Sequence, residues 1–292
     1  MELIPKICKI CNSKNLLYFA HTARCKDCSV LLNYPYPIVS REEKVARQNL
    51  FTNEEIDKQQ KIEIDWQKES GERNHDNFTA MTKFALSEKD IDNKFTILDY
   101  GGGGGQFSLV AKSLFPEINT FIVDLNDYRL LNSYKPINNQ IKYADFKEKN
   151  IKFDFIFMND VYEHLTNPIE VLKLLRTKLK PGGKIFIDTP CTFWLYPITK
   201  IFSKKIYTKL LRRTVDSDHQ QIWTSKSFKI SIKRAGFEII KYKKLSEFTQ
   251  PADFYLKKMK INNPIILMLG HLFYKYSSFI AKNKIMSVIK KI

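Results

Sequence analysis

No apolar run follows a basic start at the N-terminus, where Met1-Glu-Leu-Ile-Pro-Lys leads into polar sequence, so no secretory signal is expected. Nor does the longest apolar stripe, Pro264–Ile280, reach the ~20 residues a membrane span requires, and His271 and Lys275 interrupt it. Cysteine is limited to five residues, four of them in two tight pairs. That pattern suits a reducing compartment and a metal better than a disulfide framework, and a cytoplasmic protein is expected. Glycine is also scarce, ten residues in all, yet five stand together at Gly101–Gly105. The run lacks a G-x-G-x-x-G. Counted from Gly101, Gly102 or Gly103, the third position falls on Gln106, Phe107 or Ser108, which argues against a dinucleotide.

What is present suits a globular chain of one large domain plus a small appendage: 292 residues, 43% hydrophobic and 27% charged. Around the glycines, Phe95, Ile97 and Leu98 form an apolar run ending in Asp99, and Leu109, Val110 and Leu114 mark a helix behind the turn. Strand, tight turn and helix in that order present free backbone N–H groups to a nucleotide-like ligand, and glycine lets that ligand come close. Further runs repeat the pattern. Thr120–Asp124, Ile141–Asp145 and Phe153–Asp160 each read as a strand ending in an acid. Asp124 stands 25 residues beyond Asp99, where a strand-end acid accepts hydrogen bonds from both ribose hydroxyls. Asp145 and Phe146 are placed to bracket an adenine. A helix over Pro168–Leu179 and a fifth strand over Lys184–Pro190 follow. Strands separated by single helices imply an α/β, doubly wound parallel sheet with its ligand at the strand carboxyl ends.

Cys8-x-x-Cys11 and Cys25-x-x-Cys28 are separated by thirteen residues. Two such pairs complete a tetrahedral four-thiolate zinc site, closed and therefore structural. A ribbon this small would draw much of its folding free energy from the ion. Lys6, Lys9, Lys14, Arg24 and Lys26 would offset the thiolate charge; His21, between the pairs, reads as a surface histidine rather than a fifth ligand. The rivals are two disulfides or a redox C-x-x-C, and neither explains the doubled pair.

The run Asp99-Tyr-Gly101-Gly-Gly103-Gly-Gly105, with FDFIFMNDVYEHLTNP and LKPGGKIFIDTP downstream, resembles class I S-adenosylmethionine (SAM)-dependent methyltransferases. The cysteine knuckle followed by Pro35-Tyr-Pro37 is similar to a bacterial branch of that family associated with surface-polysaccharide and lipid-linked sugar pathways. The resemblance implies a Rossmann-like sheet binding SAM. Asp99, Gly101, Gly103 and Gly105 would hold the methionine end, and Asp124 with Leu125 the ribose. Asp145 and Phe146 would hold the adenine, with Asn159 and Asp160 beside the sulfonium. Asp218–Ser225, the helix after it and a sixth strand over Phe237–Tyr242 also fit; a clear seventh strand is not found, because Pro251 and the polar stretch after Asn262 intrude.

For an oxygen or nitrogen acceptor a base is useful, and histidine suits neutral pH. His164 follows the fourth strand; His219, beside Asp218 and Trp223, is the stronger candidate. Cys191 reads as a buried thiol. Acids are scarce in the last third: residues 200–292 hold 21 Lys+Arg against 5 Asp+Glu. Basic residues interleaved with large aliphatics suggest an interfacial helix on an anionic membrane, peripheral to its inner face. The expected layout is a zinc knuckle over 1–38, a helical cap over 39–94 that begins at a Ser40/Glu43 capping box, and a SAM-binding domain over 95–245 with an insertion at 191–218. A basic amphipathic helical tail over 246–292 completes it. In the cap, Trp66, Phe78, Met81, Phe84 and Ala85 form an apolar stripe that lays a helix on the sheet and over the cofactor. The function expected is methyl transfer to a small-molecule, sugar or lipid-linked acceptor. An RNA methyltransferase gripping phosphates with knuckle and tail is the alternative, and a nonenzymatic SAM-binding scaffold the third.

Overall fold

A computed structural model describes residues 4–19, 22–33, 51–86, 91, 94–127, 129–135, 138–191, 219–245, 263–280 and 282–292. His21, residues 34–37, Ser40, Glu43, the insertion over 192–218 with Asp218, and Pro251 lie outside the described residues, as does the Trp66 side chain.

The strands, in chain order, are β1 (Leu16–Phe19), β2 (Thr22–Cys25), β3 (Leu31–Asn33), β4 (Thr96–Tyr100), β5 (Asn119–Val123), β6 (Asn139–Gln140) and β7 (Phe153–Asn159). After them come β8 (Leu179–Pro190), β9 (Gln221–Ile222), β10 (Phe237–Leu245) and β11 (Lys284–Lys291). The helices are α1 (Asn53–Ala85), α2 (Gln106–Leu114), α3 (Tyr143–Phe146), α4 (Pro168–Thr177), α5 (Ser225–Arg234) and α6 (Pro264–Ile280). Seven strands form one sheet in the order β10-β11-β8-β7-β4-β5-β6. All neighbours pair in parallel except β11, which runs antiparallel to both β8 and β10. The strand order reverses at β4, so the carboxyl ends of β4 and β7 open a crevice, the place where doubly wound sheets bind ligands.

The strand β11 corrects the expected helical tail over 246–292. Ile285, Met286, Ser287, Val288 and Ile289 are all buried, and the strand lies inside the sheet. A strand covered on both faces reads as a continuous apolar run without alternation. Here lysines at both ends and Ser287 in the middle disguise it; the Ser287 hydroxyl donates to Lys241 O at 3.1 Å. The third strand is likewise shorter and earlier than expected, Asn139–Gln140, and Tyr143–Phe146 is a helical turn. The fifth strand begins at Leu179, ahead of Pro181-Gly-Gly183.

Helix α1 starts at a capping box formed by Thr52 and Glu55: Thr52 N donates to Glu55 Oε2 at 2.8 Å, and Glu55 N to Thr52 Oγ1 at 3.3 Å. Its second half packs on the sheet layer through Phe78, edge-on to Phe107, buried Met81, and Phe84, edge-on to Phe186. The knuckle sheet is extended by β9, whose Ile222 pairs with Leu31. Arg234 Nη1 donates to Ile10 O at 2.6 Å, and Cys8, Ile10, Ala23 and Val30 join the main hydrophobic core. The knuckle therefore packs into the same hydrophobic core as the main sheet.

Candidate active site

The turn after β4 is built around glycines with positive φ at Gly101, Gly103 and Gly105. At Gly101 the requirement is steric as well: a Cβ would lie 2.4 Å from Val161 Cγ2. Gly103 N donates to Asp124 Oδ2 at 2.9 Å, and Asn126 N to Asp124 Oδ1 at 2.8 Å. Both oxygens of this strand-end acid thus face the turn and the loop after β5, with Leu125 half-buried beside it. Asp99 is different. Only 2% exposed, it accepts from Ser108 Oγ at 3.0 Å and lies under Gly102, so it supports the turn from beneath. Burial pushes its carboxyl up to about 7, against the opposing Ser108 hydrogen bond.

The first half of α1 lies over this turn. Arg129 donates to Glu63 Oε2 from Nε at 3.3 Å and Nη2 at 3.2 Å, and its Nη1 is 3.9 Å from Asp124 Oδ2. Burial works to lower the Arg129 pKa, but Asp124 and Glu63 outweigh it and raise it. Gln60 adds two bonds, from Nε2 to Leu130 O and to Oε1 from Asn132 N. A Cβ on Gly104 would meet Glu63 Cγ at 2.4 Å. Neither Glu63 nor Arg129 carries a sequence signal; they are 66 residues apart.

Of the pair expected at an adenine, Asp145 is exposed in α3, whereas Phe146 is 3% exposed and spent on the core, its ring 5.7 Å from Tyr100. Asp127 was not anticipated there; its Oδ1 accepts from Tyr143 N at 3.0 Å, and burial raises its pKa. At the end of β7, both side-chain amide atoms of Asn159 are buried without a hydrogen-bond partner among the described residues. Asp160 follows with φ +48°, a conformation aspartate tolerates. Its Oδ2 lies 3.0 Å from Lys284 Nζ, which also reaches Asp188 Oδ2 at 2.6 Å.

His164 and His219 come together although a long insertion separates them in sequence. Their rings meet edge to face with centroids 4.7 Å apart. Between them sits Glu163, 1% exposed, with Oε1 at 3.8 Å from His164 Nε2 and 3.9 Å from His219 Nε2. Thr189 Oγ1 donates to the other oxygen at 2.8 Å, and Gln220 N to the Glu163 carbonyl at 2.8 Å. Burial, then the charge of Asp160, raises the Glu163 pKa well above the usual carboxylate range. Its position next to His164 was the only clue in the sequence. Trp223 is not at this site: it is fully buried and stacked on Tyr162 at 4.6 Å. Cys191 is buried, as expected.

The four paired cysteines converge, with all four Sγ atoms within 4.8 Å of one another. Cys8 Sγ lies 3.6 Å from Cys28 Sγ and Cys11 Sγ 3.5 Å from Cys25 Sγ, and all are free thiols. Such separations are far beyond a disulfide bond.

A family model described as a methyltransferase domain matches residues 68–242, more than half of the chain. The chain belongs to this methyltransferase family. Among curated proteins, methyltransferase str2 of Strobilurus tenacellus is 27% identical to this methyltransferase over 109 residues, 35% of the chain and 38% of that protein. The tRNA U34 carboxymethyltransferase of Campylobacter fetus is 28% identical over 102 residues, 32% and 36% of the two chains. The chain thus spans little more than a third of the length of these curated relatives. Among solved structures, phosphoethanolamine N-methyltransferase 2 of Haemonchus contortus with SAM aligns at a TM-score of 0.54 and 17% identity, covering 89% of this chain and 62% of that one. The plantazolicin methyltransferase BamL with S-adenosylhomocysteine (SAH) aligns at 0.50 and 16% identity, covering 86% and 96%. At these identities the structures show a shared fold. The family model and the curated relatives agree on a methyltransferase domain, and the solved structures share its fold.

Proposed function

We propose that this chain transfers a methyl group from SAM to a small-molecule, sugar or lipid-linked acceptor, in the cytoplasm and peripheral to the inner membrane face. The observation that carries it is the junction of the glycine turn with Asp124, whose Oδ2 accepts from Gly103 N at 2.9 Å. The residues fit the cofactor: a cradle that a Cβ would fill, a strand-end acid suited to ribose hydroxyls, and the Asn159 amide without a partner among the described residues. In this reading Asp99, Gly101, Gly103 and Gly105 shape the seat of the methionine end. Asp124 and Leu125 receive the ribose. Asp145 borders the adenine with Phe146 supporting from the core, and Asn159 and Asp160 flank the sulfonium. Bound SAM supplies an electrophilic methyl group; the protein's part is to hold the acceptor in line and exclude water. His219 and His164 receive the acceptor's proton, with Glu163 between them.

The four thiols suit one structural Zn²⁺, a closed site that ties the knuckle to the catalytic domain. Among the described residues no helix is long and apolar enough to cross a membrane. Helix α6 does expose Ile265, Met268, Leu269, Leu272 and Tyr276, Ile265 by 64%, and we assign it to contact with an anionic membrane surface. The tRNA-modifying relatives favour a second reading, an RNA acceptor held by the basic last third.

Calorimetry of SAM binding to the zinc-loaded protein tests the first reading. Binding that Asp124→Ala abolishes supports it; no binding by folded wild type sinks it. Acceptors separate by salt: RNA affinity falls steeply between 50 and 200 mM salt, by about 10³-fold for six phosphate contacts, whereas vesicle binding through apolar insertion persists.

A further inference from the structure

The group formed by Glu163, His164 and His219 has a geometry that a hydrogen-bonded relay lacks. Glu163 is buried and anchored by Thr189 through Oε2, while Oε1 has no hydrogen-bond partner among the described residues. Oε1 faces both histidine Nε2 atoms, at 3.8 and 3.9 Å. Those distances are too long for hydrogen bonds. They lie near the edge of a tetrahedron, about 3.4 Å when each metal–ligand bond is about 2.1 Å. The three ligand atoms all fall within 4.8 Å of one another. Lys284 Nζ already bonds both Asp160 and Asp188 nearby, and burial with the Asp160 charge disfavours an uncompensated Glu163 carboxylate. A buried carboxylate in such company is stabilised by a cation.

We propose that Glu163 Oε1, His164 Nε2 and His219 Nε2 bind one divalent first-row transition ion. Two imidazoles and a carboxylate suit ions from Mn²⁺ to Zn²⁺. Three protein ligands leave a position open, the arrangement of catalytic and not of structural sites. The ion is distinct from the one assigned to the cysteines. This inference rests on the reading of the strand ends as the methyl-transfer site and refines it: the histidines act as ligands, and the acceptor is a hydroxyl compound. A hydroxyl bound at the open position has its pKa lowered and releases its proton to solvent. Its oxygen then forms the O–CH₃ bond as the S–CH₃ bond breaks, and the sulfonium leaves as a neutral thioether. The segment carrying Glu163 and His164 is placed for this, since Val161 rests directly on Gly101 of the cofactor turn.

The test is titration of the full-length, zinc-loaded protein with MnCl₂, following free Mn²⁺ by electron paramagnetic resonance. Mn²⁺ favours oxygen and imidazole over thiolate, so the cysteine site stays silent. One bound Mn²⁺ per chain is expected, weakened about ten-fold or more by Glu163→Gln and by His164→Gln. Glu170→Gln, on the exposed face of α4, should bind like wild type. His164 is partly exposed, so its variant tests the site without disturbing the core. If neither Mn²⁺ nor Co²⁺ finds a site that depends on Glu163 while SAM still binds, the metal is overturned and the histidines remain bases. If the ion binds and SAM does not, the metal stands and the cofactor reading fails.

Discussion

Lys284 Nζ lies 2.6 Å from Asp188 Oδ2, the lysine side chain 8% exposed and the aspartate fully buried. This ion pair ties the antiparallel strand β11, next to the sheet edge, to β8. Removing one partner strands a charge in the interior, which costs about 3–5 kcal/mol, whereas replacing both with apolar groups is often neutral. Lys284→Ala is therefore expected to lower unfolding free energy by about that amount in denaturant titrations. Lys284→Met with Asp188→Leu should recover most of it. A single variant as stable as wild type would show that the pair contributes nothing.

The cysteine cluster has a sharper expected signature. With one Zn²⁺ per chain by elemental analysis, chelation or Cys25→Ser should unfold the knuckle, because apparent zinc-binding free energies of about 10–16 kcal/mol are folding free energy in such sites. The effect should spread. The knuckle shares the main core and pairs with β9 next to His219, whose carbonyl accepts from Asn33 Nδ2 at 2.6 Å. Metal loss should thus lower the melting temperature of the whole protein as well as the signal of the knuckle. A melting curve unchanged by chelation, with the metal gone, would contradict this coupling.

The legible parts of the fold were those where local pattern and burial agree. Strands β4, β5 and β7 are apolar runs ending in acids, and each was readable because a buried parallel strand needs no alternation. The β11 strand obeys the same rule but hides behind Lys284, Lys290 and Lys291. The capping box at the start of α1, Thr52 with Glu55, carries the same residue pattern as Ser40 with Glu43, which lies outside the described residues. At the site, the glycines and Asp124 announce themselves by spacing. Glu163 does not, because what makes it chemically interesting is burial between two histidines that the chain brings together from afar. Phe146 is the converse case: an aromatic next to an acid says nothing about whether its ring faces the cleft or the core, and here the ring packs against Tyr100.

Asp99 gives a pH dependence whose sign follows from its environment. Its carboxyl titrates near 3.8 when unfolded and about 7 when folded. Between those values the folded protein holds a proton that the unfolded chain has released, so stability falls as pH rises and levels off above about 7. Asp99→Asn keeps the Ser108 contact without the ionisation. It is expected to flatten the profile and to exceed wild-type stability at pH 8 by on the order of 4 kcal/mol at most. Parallel stability curves for the two proteins from pH 4 to 8 would remove Asp99 as the cause.

Helix α1 should behave as two units in hydrogen exchange. Its second half is fixed by apolar packing of Phe78, Met81 and Phe84, while its first half is held by the polar contacts of Gln60 and Glu63. Arg129→Ala leaves Glu63, buried to 6% exposure, without its guanidinium. Because Arg129 itself is 44% exposed, solvent screening limits the loss to near 1 kcal/mol, about five-fold in exchange rate. Amides over 53–67 should therefore exchange about five-fold faster, and those over 78–85 should stay unchanged. Adding Glu63→Gln to Arg129→Ala should restore part of the protection, since the uncompensated carboxylate is then gone. Equal acceleration along the whole helix would mean that α1 is a single rigid strut, and that its grip on the glycine turn cannot loosen without loosening the core.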